Sequence, residues 1–136
     1  MDLTSDTPRG HRPVTVLVDE APDFLRFNLT GAWPSVEEQC RLRQRLLANG
    51  QLTSATRALY DLRDLTRMPS LSDIEANVAL ARSTGGWPAK RAYLVKHGVQ
   101  YRVARQMQTL EFPGVDVQLF TDEDLAIEWL WTVTTI

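Results

Sequence analysis

Residues Ala58–Ala81 read ALYDLRDLTRMPSLSDIEANVALA, and this stretch decides the fold. Its first five residues form a short apolar run suited to a buried parallel strand, while Leu71, Ile74, Val78 and Ala81 recur at the three- and four-residue spacing of a helix face. A charged turn joins the two. A strand that feeds a helix in this way is half of a crossover unit, so the next strand is expected to lie parallel to the first.

Downstream, Thr84-Gly-Gly-Trp-Pro breaks the chain, Arg91–Lys96 supplies a second buried strand, and His97-Gly98 forms a tight exit. Val99, Val103, Met107 and Leu110 then mark the inner stripe of another helix. Val115, Val117 and Leu119 form the last strand, and Leu125, Trp129 and Leu130 line the last helix. Upstream, Val14–Asp19 and Leu25–Thr30 alternate as strands around the turn-like DEAPD and predict a hairpin. From Ser35 the spacing becomes helical, with Val36, Cys40 and Leu47 inward and Glu37, Arg41 and Arg45 along a solvated face, until Asn49-Gly50 stops it. The order ββαβαβαβα predicts an α/β domain: a mixed, mostly parallel five-stranded sheet with helices packed on it. Residues 1–13 are expected to be a disordered tail, and 14–136 one domain.

Composition narrows the function. The chain has 136 residues, 43% of them hydrophobic, enough for one core and no second domain. A net charge of −2 with both signs scattered along the chain argues against nucleic-acid binding, which needs a concentrated basic face. Cys40 has no partner for a disulfide, and Cys40, His11 and His97 are too few for a zinc site. A reducing cytoplasmic setting without metal or cofactor is therefore expected. The polar N-terminus lacks an apolar targeting core, and no apolar run is long enough to span a bilayer.

Two serines stand before the helix of the opening stretch. A side-chain oxygen at an N-cap accepts a bond from an orphaned backbone N–H, and an acidic residue three positions on returns one. Ser70 with Asp73 and Ser72 with Glu75 both fit, as do Ser35 with Glu38 and Thr121 with Asp124 before two other helices. The motif is this chain's habitual helix start.

Four stretches, LYDLRDLTRMPS, AYLVKHG, YRVARQMQTL and VQLFTDEDLAIEWL, resemble the STAS-like proteins, and in particular the SpoIIAA-like branch of bacterial anti-sigma-factor antagonists. They span the second half of the chain; the first half matches in element order. The resemblance implies a small sheet with helices packed on it. In the signalling members a Ser or Thr at the start of the helix after the third strand is phosphorylated by a partner kinase. The corresponding region here is Met68–Asp73, which lacks their Asp-Ser-Ser-Gly-like core and leaves Ser70 and Ser72 as the phosphorylation candidates.

In a parallel sheet, loops after neighbouring strands open at one edge. That edge would gather Arg63, Arg67, Ser70, Ser72, Lys96, His97 and Gly98 near two helix N-termini, whose free N–H groups suit an anion. The opposing reading is that Asp61 and Asp64 neutralise the arginines. Trp33, Trp87 and Trp131 are candidates for an exposed apolar patch, as a homodimer contact or lipid-like groove. His97 has no Ser-His-Asp ordering or glycine-rich elbow around it, so an enzyme built on His97 is the weakest reading and no catalytic residue is assigned. The sequence thus points to a non-catalytic module that binds a small anionic or amphipathic molecule or a protein partner, a regulatory role being one reading of it, with a phospho-switched antagonist as the alternative.

Overall fold

The structure is a computed structural model that describes residues 2–4, 15–21, 23–83, 88, 90–110 and 115–132. The strands are β1 (Asp2–Thr4), β2 (Thr15–Ala21), β3 (Phe24–Ala32), β4 (Arg57–Asp61), β5 (Leu65–Arg67), β6 (Lys90–Leu94) and β7 (Asp116–Phe120). The helices are α1 (Val36–Ala48), α2 (Leu71–Ser83), α3 (Val99–Leu110) and α4 (Glu123–Leu130).

The sheet runs β1-β2-β3-β4-β6-β7. β1, β2 and β3 pair antiparallel, and β3, β4, β6 and β7 pair parallel, as the crossover pattern requires. The expected hairpin is β2–β3, whose register sets Ala21 opposite Phe24. Asp23 in its turn has φ 56°, a left-handed conformation that Asp tolerates better than most residues, and its carbonyl accepts the first N–H of β4 at 2.8 Å.

Two short strands extend the five expected. β5 lies parallel to the far end of β3, pairing Leu65 with Gly31 and Arg67 with Ala32, so it prolongs the lane of β4. β1 falls within the stretch expected to be a disordered tail, where Asp2–Thr4 pair with the edge of β2 and satisfy backbone groups there.

Strand alternation divides the core in two. On one face Leu25, Phe27 and Leu29 of β3, Ala58, Leu62, Tyr93, Val95 and Val117 pack with Leu46 of α1, Ile74 of α2, and Ala104 and Met107 of α3. On the other, Leu59, Ala92 and Leu94 pack with Ala126 and Leu130 of α4. β6 lies between them with all five residues buried, as expected of a central parallel strand.

The helix faces differ in detail from the periodic reading. On α1 the buried leucine is Leu46, 2% exposed, and its neighbour Leu47 is 39% exposed. Leu71, Val99 and Leu125 are 60%, 62% and 55% exposed. Each lies in the first turn of its helix, beyond the strand end, where the sheet offers little to pack against. α4 is capped by Asp122, whose carboxylate accepts the Leu125 N–H at 3.2 Å, in place of the expected Thr121. The box at Ser35 and Glu38 is present. Among the described residues, no helix is long and apolar enough to cross a membrane.

Candidate functional site

The turns after β4 and β6 do lie side by side. Leu62 N–H donates to Leu94 O and Val95 N–H to Phe120 O, both at 2.9 Å, which carries the parallel ladder past the strand ends. Gln100, in the first turn of α3, fastens the turns together. Its Oε1 accepts Lys96 N–H at 2.9 Å, and its Nε2 donates to Arg63 O at 3.3 Å and Leu65 O at 3.5 Å.

The cations of this rim do not all face one way. Arg63 turns toward α4, where it grips Asp61 through Nε at 3.0 Å and Nη2 at 2.8 Å and reaches Glu123 at 3.5 Å. Arg26 bonds the same Asp61 at 3.1 Å and also pairs with Glu123. Burial alone would raise the Asp61 carboxyl, but bonds from Arg63 and the charges of Arg63 and Arg26 outweigh it and hold the group below its ordinary value. The Arg63 guanidinium is held above its own. Two arginines and two carboxylates therefore neutralise one another here.

Arg67, Lys96, His97 and Gly98 are exposed. Gly98 has φ 89°, and a Cβ there would meet nothing within 4 Å, so conformation and not crowding calls for glycine. Ser70 caps α2: its hydroxyl accepts the Asp73 N–H at 3.2 Å, and Asp73 accepts the Ser70 N–H at 2.9 Å. Ser72 is the serine left over, exposed in the first helical turn.

A cavity of about 130 Å³ lies elsewhere, between the sheet and the three helices on its other face. Its sheet wall comes from Phe27, Leu29, Tyr60, Arg91 and Tyr93. Opposite stand Leu42, Arg43 and Leu46 of α1, Ile74 and Val78 of α2, and Met107 of α3, with Trp33 and Leu52 at the side. Leu42, Arg43, Asn77, Val78 and Leu80 are half-buried, so the cavity reaches toward the surface between α1 and α2. Gln39 bridges that gap, donating to Asn77 Oδ1 and Pro34 O at 2.9 Å each.

Two guanidiniums enter this apolar space. Arg91 is 8% exposed, and its Nε donates to Pro88 O at 2.6 Å. Burial lowers the Arg43 guanidinium below its ordinary value; Tyr60 opposes this, and the charge of Arg91 adds to it. The two arginines are therefore within electrostatic reach of each other. Among the described residues that line the cavity, none carries a carboxylate.

Sequence reasoning passed over both arginines. The available signal was the alternation of β6: Arg91 shares a face with Tyr93 and Val95, so it had to point into the helix-covered core. Of the tryptophans, Trp33 is half-buried and lines the cavity, and its indole N–H is buried with no acceptor. Trp131 is half exposed at the opposite face, against Phe24 and with the Arg57 guanidinium 4.9 Å above its ring. Those two do not form one patch; Trp87 falls outside the described residues. Among the described residues, no three His, Cys, Asp or Glu side chains gather as metal ligands would.

This arrangement of a mixed sheet with helices on both faces is a SpoIIAA-like fold. The chain matches the crystal structure of an uncharacterised DUF3478-family protein with a SpoIIAA-like fold from Shewanella loihica PV-4, with TM-score 0.62 and 20% identity over 93% of this chain and 99% of that one. The resemblance drawn from the four stretches is thus shown at the level of the fold. No family model matches the sequence, and no curated protein matches it.

Proposed function

We propose that the chain is a non-catalytic binding module that holds a small amphipathic anion in the cavity between its sheet and helices α1–α3, in a cytoplasmic setting. One observation carries this reading: a cavity of about 130 Å³ is lined mostly by aliphatic and aromatic side chains, with Arg43, Arg91, Gln39 and Asn77 as polar members of its wall. Ligand pockets of this kind combine an apolar wall, which takes the body of the molecule, with a few polar and cationic groups, which orient its head. The anionic ligand expected at the turn rim is thereby moved to the cavity, because Arg63 is already engaged by Asp61 and Glu123.

Native mass spectrometry of protein purified from its source cells tests the proposal. The expected result is a bound small molecule, released on denaturation, that partitions as an acid, and whose occupancy falls in Arg91→Met and Arg43→Met variants. Protein that carries no such mass and gains no thermal stability from any anionic amphiphile would overturn it.

A further inference from the structure

Resting on that reading for the ligand's place, we infer that its body is one aromatic ring bearing a carbonyl oxygen, and that the indole N–H of Trp33 is the donor to this oxygen. Trp33 lines the cavity, and among the described residues its Nε1 is buried without an acceptor. An indole nitrogen can only donate, and a donor taken out of water normally has a partner, because leaving the bond unmade is costly. A carbonyl oxygen on a guest in the cavity supplies that partner and needs no charge to do so.

The ring follows from the sheet register. Phe27 of β3 stands opposite Tyr60 of β4, and Tyr60 opposite Tyr93 of β6, so three aromatic side chains that line the cavity form one row across three neighbouring strands. The Phe27 and Tyr60 centroids are 4.8 Å apart, the spacing of the strands themselves, and their planes lie within 14°. Coplanar rings would collide at that distance. The two therefore stand face to face, upright on the sheet, and turn their edges toward the helices. Tyr93 adjoins Tyr60 at 5.3 Å and is tilted from it by 56°. Ring edges carry the positive end of the aromatic quadrupole and are complemented by the negative face of another ring. A guest ring laid across the row makes this edge-to-face contact, and Leu42, Leu46, Ile74 and Val78 cover it from the helix side.

Size agrees with one ring. A cavity of about 130 Å³ is close to the roughly 150 Å³ engineered cavity that takes up benzene, and well below the roughly 300 Å³ at which pockets for larger ligands begin. A ring with a short substituent fills it.

Uncharged probes isolate the ring and the indole from any acidic group. The full chain is titrated with acetophenone, with ethylbenzene, which lacks the oxygen, and with cyclohexyl methyl ketone, which keeps the oxygen and lacks the aromatic face. Acetophenone is expected to bind roughly fivefold or more tightly than either. In isotope-labelled protein, the indole N–H resonance that Trp33→Phe deletes should move further downfield with acetophenone than with ethylbenzene, a readout made on the wild-type chain. Trp33→Phe, first shown to melt cooperatively, should bring acetophenone down to the affinity of ethylbenzene. Equal affinity of the wild type for those two probes overturns the role of the indole. Equal affinity for acetophenone and the cyclohexyl ketone overturns the aromatic body. Binding of none of the three overturns the inference as a whole and leaves the amphipathic-anion reading standing, because that reading is tested by the acid recovered with the purified protein. Tight acetophenone binding by a protein that carries no acid supports the ring and the indole and overturns the anion.

Discussion

The ammonium of Lys90 lies 2.7 Å from the carbonyl oxygen of Thr132 and 3.1 Å from its hydroxyl, so the first residue of β6 closes the C-terminal end of α4. It also sits 4.7 Å above the ring of Trp129. A cation at this end of a helix meets unpaired carbonyls and the negative pole of the dipole.

Lys90→Met keeps the apolar stem and removes these bonds. We expect a loss of about 1–2 kcal/mol in urea denaturation, the range for hydrogen bonds to a charged group. Amide exchange should quicken selectively over Ala126–Trp131, with little change in α1–α3. Uniform acceleration across the chain would show that Lys90 supports the whole core and not this terminus.

Asp61 gives a pH dependence of known sign. Its folded-state value lies below the unfolded one, so its stabilisation is complete above about pH 4 and is lost as pH falls through the lower folded value. Asp61→Asn leaves Arg26 and Arg63 short of their shared partner, and we expect it to cost about 2 kcal/mol at pH 7. The gap between wild type and variant should narrow as denaturation is repeated below pH 4. A gap that stays constant with pH would assign the loss to packing.

The two serines before α2 should separate cleanly. Ser70→Ala removes the cap and should cost about 1 kcal/mol. Ser72→Ala, at an exposed position, should stay within about 0.5 kcal/mol of wild type. Equal losses would contradict the capping geometry.

Adjacent leucines on α1 provide a sharper contrast. Leu46→Ala removes a side chain that is 2% exposed and extends the existing cavity, so we expect a loss of about 2–5 kcal/mol. Leu47→Ala should cost about 0.5 kcal/mol or less. Denaturant midpoints at constant slope measure both.

That contrast also shows where the sequence was legible. Element order could be read because β4 and β6 are buried on both faces and so appear as apolar runs, and because breakers such as Asn49-Gly50 sit between elements. The inner face of α1 was harder: Val36, Cys40 and Leu47 obey helical spacing as well as Gln39, Leu42 and Leu46 do, and only the neighbouring sheet and α2 select between them. β5 is a three-residue strand whose last two residues are exposed and polar, too short to carry a period. The turn rim could be located from topology, since Gln100 does join its two turns. That Arg63 would face α4 depended on Glu123, which lies 60 residues away in the chain and is invisible to local patterning. The cavity was out of reach for the same reason, because it is a gap left by three helices that meet over one sheet.

Gln100 has a further bearing on how such a chain can change. One amide side chain serves backbone groups in both turns, so adding or deleting a residue in either would unhook the other from its shared support. Variation at this rim is therefore channelled into exchange of side chains at fixed length, and new surface chemistry can arise there without shifting the strands beneath.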